Sequence, residues 1–379
     1  MDKKKICIIA SVPNGIISFW KTNIDKISNK FDVYIVANFE NKDIFNDLKI
    51  KDAKSIRIER HPSIFKELNT INELTHYFKQ EKFNGFISMS SNASLVASIA
   101  GWKAKIPFRA RIFTGQIWAN KKGISRMFFK LIDRVTVLLN THFLVDGKSQ
   151  QNYLIQNGIL KIKQSCVLAN GSICGVDTER FKPNPEIREI ERKNLHIEDS
   201  DIVFAFMGRI NRDKGTFELL EAFNRLVGEE KHVKLLLIGN NEGIDNNIFN
   251  KYSNIRYGIN LICYGFTKAP YNALQAGDVF CLPSYREGFG MSVIEAASLE
   301  LPVIASDAYG LKDSFINGVT GLCCKMKNVE SLYEAMKQLY KDNNLRKKMG
   351  KAGRDRIIKD FSMDMVSDAW LNYFSKNIK

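Results

Sequence analysis

The sequence predicts an α/β protein with two Rossmann-like domains, each built on a parallel sheet. The chain has 379 residues, and at roughly 150 residues per domain this length suggests two or three domains. Short apolar runs alternate with stretches of helical periodicity through the first half, as in repeated strand–helix–strand units. The alternation starts again at Ile202, after a charged stretch with Pro183 and Pro185 that is typical of a linker.

The first half contains the elements of one such domain. Its predicted strands are residues 6–10, 33–37, 55–58, 85–89, 111–114, 142–145 and 165–169, and its predicted helices are 16–27, 68–81, 92–103 and 123–140. Because ligands bind beyond the carboxyl ends of parallel strands, two loops are candidate sites: residues 90–92, and Thr114 with Gly115 and Gln116. A third loop, Asn14 with Gly15, could hold an anion. This pair is also typical of a plain tight turn.

The second half repeats the pattern. Its predicted strands are residues 202–207, 234–238, 261–264, 279–282, 302–306 and 322–324. Its predicted helices are residues 217–227 and 271–278, a helix from residue 291, and then 332–340, 345–358 and 363–378.

The net charge of +15 is concentrated in the first half. Residues 1–170 carry 27 Lys and Arg against 13 Asp and Glu, whereas residues 171–379 carry 29 against 28. This asymmetry indicates an anionic neighbour for the first half, either a membrane or a nucleic acid. A Lys-rich surface that serves only solubility is the alternative.

The predicted helix at 123–140 is amphipathic. Apolar side chains recur every three or four residues, and cations line the other side: Ile124, Met127, Phe128, Leu131, Val135, Leu138 and Leu139, with Arg126, Lys130 and Arg134. Such a helix can lie on an anionic bilayer, but an ordinary core helix with a solvated back has the same pattern. Phe129 and Ile132 widen the apolar arc and favour docking on a membrane.

Metal sites and membrane spans receive no support from the sequence. Its seven cysteines lack zinc-type spacing, so we expect reduced core residues, and its five histidines are scattered. No apolar run approaches the ~20 residues of a membrane span, and the amino terminus lacks a signal-peptide core. We therefore expect a cytoplasmic protein without a metal or other cofactor.

Two carboxylates frame a glycine turn at a strand-to-helix junction. Glu287 precedes the turn Gly288, Phe289, Gly290 and Met291, and Glu295 lies one turn inside the following helix. The amides of a helix N-terminus suit a phosphate or a sugar oxygen. The alternative is a solvated loop charge at Glu287 and a dipole-compensating Glu295.

A second loop carries two cations between glycines. Gly208 and Arg209 follow the strand at 202–207, and Lys214 and Gly215 precede the next helix. A guanidinium and an ammonium at a helix start can together bind a diphosphate. Two solvated loop cations are the alternative.

These motifs resemble, in type and order, those of retaining glycosyltransferase family 4. The resemblance extends from the Asn170–Gly171 segment to Phe361 and implies the GT-B fold, in which two Rossmann-like domains face each other across a cleft. It implies domains at 1–178 and 179–362, with the terminal helix 363–379 packing back on the first domain. Family members often have a histidine near the loop of Thr114, Gly115 and Gln116, and this chain lacks it. The loop sequence resembles that of the branch active in capsule and O-antigen assembly.

The resemblance also implies an activity and roles for residues. Sugar would pass with retention from a nucleotide donor, expected to be UDP-linked, without a metal, and the leaving phosphate would take the acceptor proton. Glu287 would bind the donor sugar, Glu295 the ribose, and Arg209 with Lys214 the diphosphate. The base would lie against the ends of two strands, at Gly239 and Asn240 and at Gly265 and Phe266, although Phe266 could also be buried.

The basic first half would then hold the acceptor. We expect a saccharide, free or linked to a polyprenyl diphosphate, at an anionic membrane surface, with Asn14, Gly15, Thr114, Gly115 and Gln116 on the acceptor side. Three other functions fit parts of the sequence: a GT-B-fold epimerase of UDP-sugars, a basic nucleic-acid-binding protein, and an inactive sugar-nucleotide scaffold. The first half has no RNA-recognition aromatic pair or zinc motif, so no nucleic-acid partner is expected.

Overall fold

The computed structural model describes residues 2–59, 64–243 and 251–378. Its contacts divide the chain into two compact units, Met1–Gly175 with Met363–Lys379 and Val176–Ser362. The first two ranges are called unit 1 and the last is called unit 2 below. The boundary expected at residue 178 lies close to this division.

The first sheet has six described strands, all parallel. They are β1 Lys4–Ile9, β2 Phe31–Ala37, β3 Asp52–Ser55, β4 Gly85–Ser88, β5 Phe108–Phe113 and β6 His142–Val145, in the spatial order β3-β2-β1-β4-β5-β6. The helices of this half are α1 Pro13–Ile27, α2 Ile64–Glu81, α3 Ser91–Lys103, α4 Gly123–Leu139 and α5 Lys148–Gln156. Strands β1, β2 and β5 are largely buried, as expected for a sheet covered on both faces, whereas β3 at the edge is polar and partly exposed.

Two predictions for strands in this unit are wrong. The run at 55–58 does not form a strand, because β3 ends at Ser55 where its partner β2 ends at Ala37. The run at 165–169 forms only one isolated bridge, between Cys166 and Leu144. The backbone leaves the extended region at Ala169, with a φ of +46°.

The second sheet, in unit 2, repeats the topology of the first. Its described strands are β7 Ile202–Met207, β8 Val233–Ile238, β9 Leu261–Gly265, β10 Val279–Leu282, β11 Val303–Ser306 and β12 Gly321–Cys324, in the order β12-β11-β10-β7-β8-β9. The helices are α6 Pro185–Asn194, α7 Thr216–Glu229, α8 Pro270–Ala273, α9 Met291–Ser298, α10 Val329–Lys341 and α11 Asn343–Asp360. The prediction of two Rossmann-like parallel-sheet domains is confirmed.

The stretch predicted to be a linker is a helix. Pro185 is the first residue of α6, and the Asn184 side chain accepts a hydrogen bond from the amide of Ile187. Proline is favoured at this helix position because the missing amide hydrogen would have had no partner there. Arg188 and Arg192 then bind Asp278, so α6 is part of unit 2.

The last helix, α12 Met363–Asn377, packs in unit 1. Its Trp370 ring lies 4.8 Å from that of Trp20 on α1, and its indole donates a hydrogen bond to the carbonyl of Ile173 at 2.8 Å. Both tryptophans are fully buried.

A buried ion pair anchors α4 to the first sheet. Arg111 on β5 donates to Asp133 on α4 at 2.5 Å, and it also donates to Thr136. The second oxygen of Asp133 accepts from the Trp118 indole at 2.6 Å. Both charged side chains are buried, so each depends on the other for compensation.

Replacing Asp133 by Ala should therefore destabilise unit 1 by about 3–5 kcal/mol, because Arg111 keeps its charge in a buried place. Urea unfolding monitored by tryptophan fluorescence measures this, since all four tryptophans lie in unit 1: Trp20, Trp102, Trp118 and Trp370. Asp368→Ala is the control, because its ion pair with Lys26 is exposed and should contribute about 0–1 kcal/mol. Equal losses in the two variants would contradict the assigned role of Asp133.

Candidate active site

The residues predicted to bind a donor lie at one edge of the second sheet. They follow the carboxyl ends of four strands: Arg209 and Lys214 after β7, Gly239 and Asn240 after β8, Gly265 and Phe266 at β9, and Glu287 through Glu295 after β10. The strand order reverses between β7 and β10, which are neighbours in the sheet. Open α/β sheets bind ligands outside the carboxyl ends of their strands at such a switch point.

An ion pair joins the two loops at this switch point. Lys214 Nζ lies 2.5 Å from Glu287 Oε1, and the side chains are only 18% and 14% exposed. Lys214 ends a short 3₁₀ turn, Arg212–Lys214, that the side chain of Asn211 caps. Because the pair is largely shielded from water, its charges act more strongly than those of a surface pair. The alternatives in which Lys214 and Glu287 are solvated loop charges are therefore wrong.

The backbone holds these loops against each other. The amide of Tyr285 and the hydroxyl of Ser284 both donate to the carbonyl of Asp213, at 2.8 and 3.1 Å. Gly215 has a φ of +72°, and a Cβ there would lie 2.1 Å from the carbonyl oxygen of Pro283. A residue with a side chain at 215 would force the loops apart, so glycine fixes the position of Lys214.

The glycine turn leads directly into α9. Gly290 caps the helix with a left-handed backbone, at a φ of +92°, and the Phe289 ring is buried 5.3 Å from that of Phe361. Gly310 supports the turn from the loop after β11, where a Cβ would lie 2.1 Å from the carbonyl oxygen of Glu287. Within the described part of the chain, the amides of Gly288, Phe289 and Gly290 have no hydrogen-bond partner. These amides are available to an anion at the helix N-terminus.

Glu295 is a half-buried carboxyl group inside α9. It is the fifth residue of α9, and it has no hydrogen-bond or ion-pair partner among residues 2–59, 64–243 and 251–378. Burial raises its pKa to about 7. A Glu that only compensates the helix dipole would be exposed in the first turn, so that alternative does not fit. Its carboxyl oxygens remain able to accept hydrogen bonds from a ligand.

Arg209 does not join the Lys214–Glu287 pair. Its exposed guanidinium binds the exposed Glu242 at 3.1 Å. The alternative of a solvated loop cation describes Arg209 in this structure. The sequence does not predict the contact between Arg209 and Glu242, because an ion pair between distant exposed residues leaves no periodic pattern.

The ends of β8 and β9 meet beside the β7 loop. The amide of Gly239 donates to the carbonyl of Gly265 at 2.9 Å, and the amide of Ile210 donates to the carbonyl of Asn240 at 2.8 Å. Phe266 is 68% exposed, so the alternative of a buried Phe266 is wrong. An exposed ring at this edge is free to stack on a planar ligand.

The acceptor-side candidates lie at the carboxyl edge of the first sheet. Asn14 and Gly15 belong to the first turn of α1, so the tight turn expected there is wrong, whereas their assignment to an anion or an acceptor stays a prediction. The helix starts at Pro13, a favoured first position. Gly15 lies close to Met89, which follows β4.

The second acceptor-side loop is stabilised by glutamines. Gln150 and Gln116 both donate to the carbonyl of Thr114, and Gln150 also accepts from the amide of Asp146 at 3.0 Å. Gln116 is buried, and Gly115 lies between Thr114 and Gln116 in the chain. The contacts position the loop after β5. The assignment of Thr114, Gly115 and Gln116 to an acceptor stays a prediction.

Asp146 is a residue that the sequence analysis missed. It follows β6 and is buried, and burial raises its pKa to about 7. Its carboxyl group has no hydrogen-bond partner in the part of the chain that the structure describes. The sequence indicates Asp146 only by its place directly after the apolar strand at 142–145.

The described residues have neither a metal-binding cluster nor a membrane-spanning helix. These residues contain no group of three or more His, Cys, Asp or Glu side chains suited to a metal ion. None of the described helices has both the length and the apolar character that crossing a bilayer requires. The expectation that catalysis needs no metal stays a prediction.

Comparison with known proteins identifies the fold and the chemistry. The family model "Glycosyl transferases group 1" matches residues 187–356, which lie within unit 2. The chain is 27% identical over 369 residues to the capsular polysaccharide biosynthesis glycosyltransferase CapM of Staphylococcus aureus, covering 97% of this chain and 95% of that protein. It is 24% identical to the UDP-Gal:alpha-D-GlcNAc-diphosphoundecaprenol alpha-1,3-galactosyltransferase of Escherichia coli, covering 83% and 81%.

A solved structure has a similar fold over nearly the whole chain. The complex of Anabaena Alr3699/HepE with UDP superposes with a TM-score of 0.79 at 17% identity, covering 98% of this chain and all of that one. The resemblance that the motifs indicate is confirmed. This chain is a GT-B-fold glycosyltransferase, and its second unit is similar to the group 1 glycosyl transferases.

Proposed function

We propose that this glycosyltransferase moves a sugar from a UDP-linked donor to a saccharide carried on a polyprenyl diphosphate, with retention of anomeric configuration and without a metal. The observation that carries the proposal is the shielded Lys214–Glu287 pair at the switch point of the second sheet. It lies in the loops that include the glycine turn at the start of α9. Together they offer an ammonium, a carboxylate and backbone amides to one ligand.

The relatives support the choice of substrates. The Anabaena protein was solved with UDP. The Escherichia coli relative is named for a UDP-Gal donor and an acceptor on diphosphoundecaprenol, and the Staphylococcus aureus relative is named for capsular polysaccharide synthesis. We therefore assign this chain to the assembly of a surface polysaccharide.

Lys214 is suited to the leaving diphosphate. An ammonium has three N–H donors, and Glu287 takes one of them. The other two can bind oxygens of the β-phosphate, and the amides of the glycine turn can bind a third. These charges and dipoles are fixed before the reaction, so they stabilise the negative charge that develops as the diphosphate leaves. Arg209 would join them after exchanging Glu242 for a phosphate oxygen.

The reaction breaks the bond between the anomeric carbon and the β-phosphate oxygen. A bond from that carbon to an acceptor hydroxyl forms on the same face. The acceptor proton passes to the leaving phosphate oxygen, so no separate base is required. Glu287, with one oxygen on Lys214, keeps the other oxygen for hydroxyls of the donor sugar.

The nucleoside would lie between Glu295 and the ends of β8 and β9. The two ribose hydroxyls are donors for the Glu295 carboxylate, and hydrogen bonds to the charged form favour ionisation. The exposed Phe266 ring offers a stacking surface to uracil, beside the strand ends at Gly239, Asn240 and Gly265.

The acceptor would be bound by the basic first half at the cytoplasmic face of the membrane. Residues 1–170 carry a net charge of +14, from 27 cations and 13 anions. Both a lipid diphosphate and a bilayer with anionic lipids attract such a surface.

A transfer assay tests the proposal. UDP-sugars are first screened by thermal shift, since a ligand of the folded form raises its melting temperature. The stabilising donor is then incubated with polyprenyl-diphosphate saccharides, with EDTA present, and the anomeric configuration of the product is determined by NMR. A retained linkage on the lipid-linked saccharide is expected. Conversion of the donor to its epimer without transfer, or an inverted linkage, would contradict the proposal.

Lys214→Ala should weaken UDP binding by about 10- to 150-fold, because a hydrogen bond to a charged group contributes about 1.5–3 kcal/mol. Isothermal titration calorimetry measures the change. Arg225→Ala is the control, since Arg225 is a cation of the same unit in an ion pair with Glu330 on α10. Similar UDP affinities for the Lys214→Ala protein and the wild type would remove Lys214 from the donor site.

Glu295→Gln should stabilise the free protein at pH 8 but not at pH 4. The folded protein keeps the Glu295 proton up to about pH 7, whereas an unfolded chain loses it near pH 4.3. The contribution of Glu295 to the free energy of unfolding therefore falls as the pH rises from about 4.3 to about 7. A Gln does not ionise, so the substitution avoids this loss. Thermal unfolding at both pH values measures the difference, expected to be a few degrees at pH 8.

The same substitution should weaken UDP binding, and the ratio of mutant to wild-type Kd should grow from pH 6 to pH 8 as Glu295 ionises. Asp146→Asn is the matched control, because its carboxyl has the same raised pKa in unit 1. It should also gain stability at pH 8 while its UDP affinity stays unchanged. A Glu295→Gln protein that binds UDP normally at pH 8 would exclude the ribose contact.

A further inference from the structure

Helix α4 exposes its apolar face. Ile124 is 86% exposed and Leu138 is 82% exposed, although they lie at opposite ends of the helix. Between them, Met127, Phe128 and Leu131 are exposed as well. With the half-buried Val135 included, each of these residues has a neighbour three or four positions away, so they form one continuous stripe. The stripe of Ile124, Met127, Phe128, Leu131, Val135 and Leu138 is called the α4 face below.

The opposite side of the same helix buries polar groups. Asp133 and Thr136 are buried and bind Arg111, and Ile132 is buried beside them. An ordinary surface helix does the reverse, with its apolar stripe in the core and its polar residues in water. The core-helix interpretation of this segment is therefore wrong. A helix held by a buried ion pair while its apolar face stays uncovered indicates a partner for that face.

Cations surround the α4 face. Lys121, Lys122, Arg126, Lys130 and Arg134 lie in or just before the helix, and the only acid between residues 121 and 139 is the buried Asp133. Arg126 and Lys130 lie 5.2 Å from the Trp118 ring and share the side-chain oxygen of Asn157. Burial, together with repulsion from Arg126 and Arg134, lowers the pKa of Lys130. The cations therefore repel one another in the absence of an anionic neighbour.

An exposed tryptophan lies on the helix next to α4. Trp102 is the next-to-last residue of α3, which packs against α4, and Lys103 follows it. Tryptophan beside lysine is typical of the interfacial region of a bilayer.

We propose that the α4 face inserts into the headgroup region of a bilayer that contains anionic lipids. A helix of 17 residues is about 25 Å long, and its apolar residues would lie among acyl chains while the flanking cations bind lipid phosphates. A second copy of the chain fits less well, because a two-fold contact would bring the two cation clusters together. The proposal deepens the proposed function by naming the segment that brings the enzyme to a lipid-linked acceptor.

Flotation with vesicles tests the apolar part of the proposal. Wild-type protein is mixed with phosphatidylcholine vesicles with or without about 30% phosphatidylglycerol, which gives the surface a negative potential. Leu131→Glu should lower the partition coefficient on the anionic vesicles at least about tenfold, since it places a charge where the exposed leucine would lie among acyl chains. Ile190→Glu is the matched control: Ile190 and Leu131 are both 57% exposed, but Ile190 lies on α6 in unit 2. It should bind within twofold of wild type.

A pair of charge reversals tests the electrostatic part. Lys122→Glu and Lys30→Glu change the net charge equally, and both residues are exposed in unit 1. Only Lys122 adjoins the α4 face, so only Lys122→Glu should weaken binding, by roughly fivefold or more per charge at low salt. Equal effects would mean that net charge alone attracts the protein, and would overturn the local docking surface.

Two further outcomes are decisive. Wild-type protein that stays with the soluble fraction at low salt would overturn the proposal, and so would a dimer in sedimentation equilibrium that Leu131→Glu dissociates.

The thermal shift by UDP is measured on the same samples. Vesicle binding without a UDP shift would refute the donor assignment alone, whereas a UDP shift without vesicle binding would refute the docking surface alone.

Discussion

The proposed donor site in unit 2 depends on one ion pair, between Lys214 and Glu287. The two residues come from loops that follow neighbouring strands at the point where the strand order reverses. Everything around the pair restricts it: Asn211 caps the turn that ends in Lys214, Gly215 allows the close approach of Pro283, and the Asp213 carbonyl binds the facing loop. A charge held in this way costs no reorganisation when a diphosphate leaves, which is the condition for electrostatic catalysis without a metal.

The sequence predicted the second sheet better than the first, for a physical reason. β7 and β10 are continuous apolar runs, buried on both faces and bounded by Gly208 and Pro283, so both strands agree with their predicted limits. Near the edges of the first sheet the pattern is less informative. The apolar run after β3 has no strand beside it to pair with, and the run at 165–169 reaches β6 through one bridge. Pro185 marked a helix start rather than a linker, and only the cap at Asn184 distinguishes the two.

For the candidate site, the sequence located the loops but not the state of their side chains. The motifs placed Lys214, Glu287 and Glu295 at one sheet edge, yet no pattern reveals that Glu295 is desolvated while Glu287 is paired. The partner of Arg209 and the buried Asp146 arise from tertiary packing between distant segments. Helix α4 shows the same limit: periodicity gave its two faces correctly, but only the burial of Asp133 beside Arg111 shows which face is inside.

In the proposed site, one sugar nucleotide contacts both Lys214 and Glu295. A crystal structure of the complex with UDP would test this arrangement. We expect a β-phosphate oxygen within hydrogen-bond distance of Lys214 Nζ and the ribose hydroxyls on the Glu295 carboxyl group. A nucleotide bound away from the carboxyl ends of β7 and β10, with Lys214 still held only by Glu287, would contradict it.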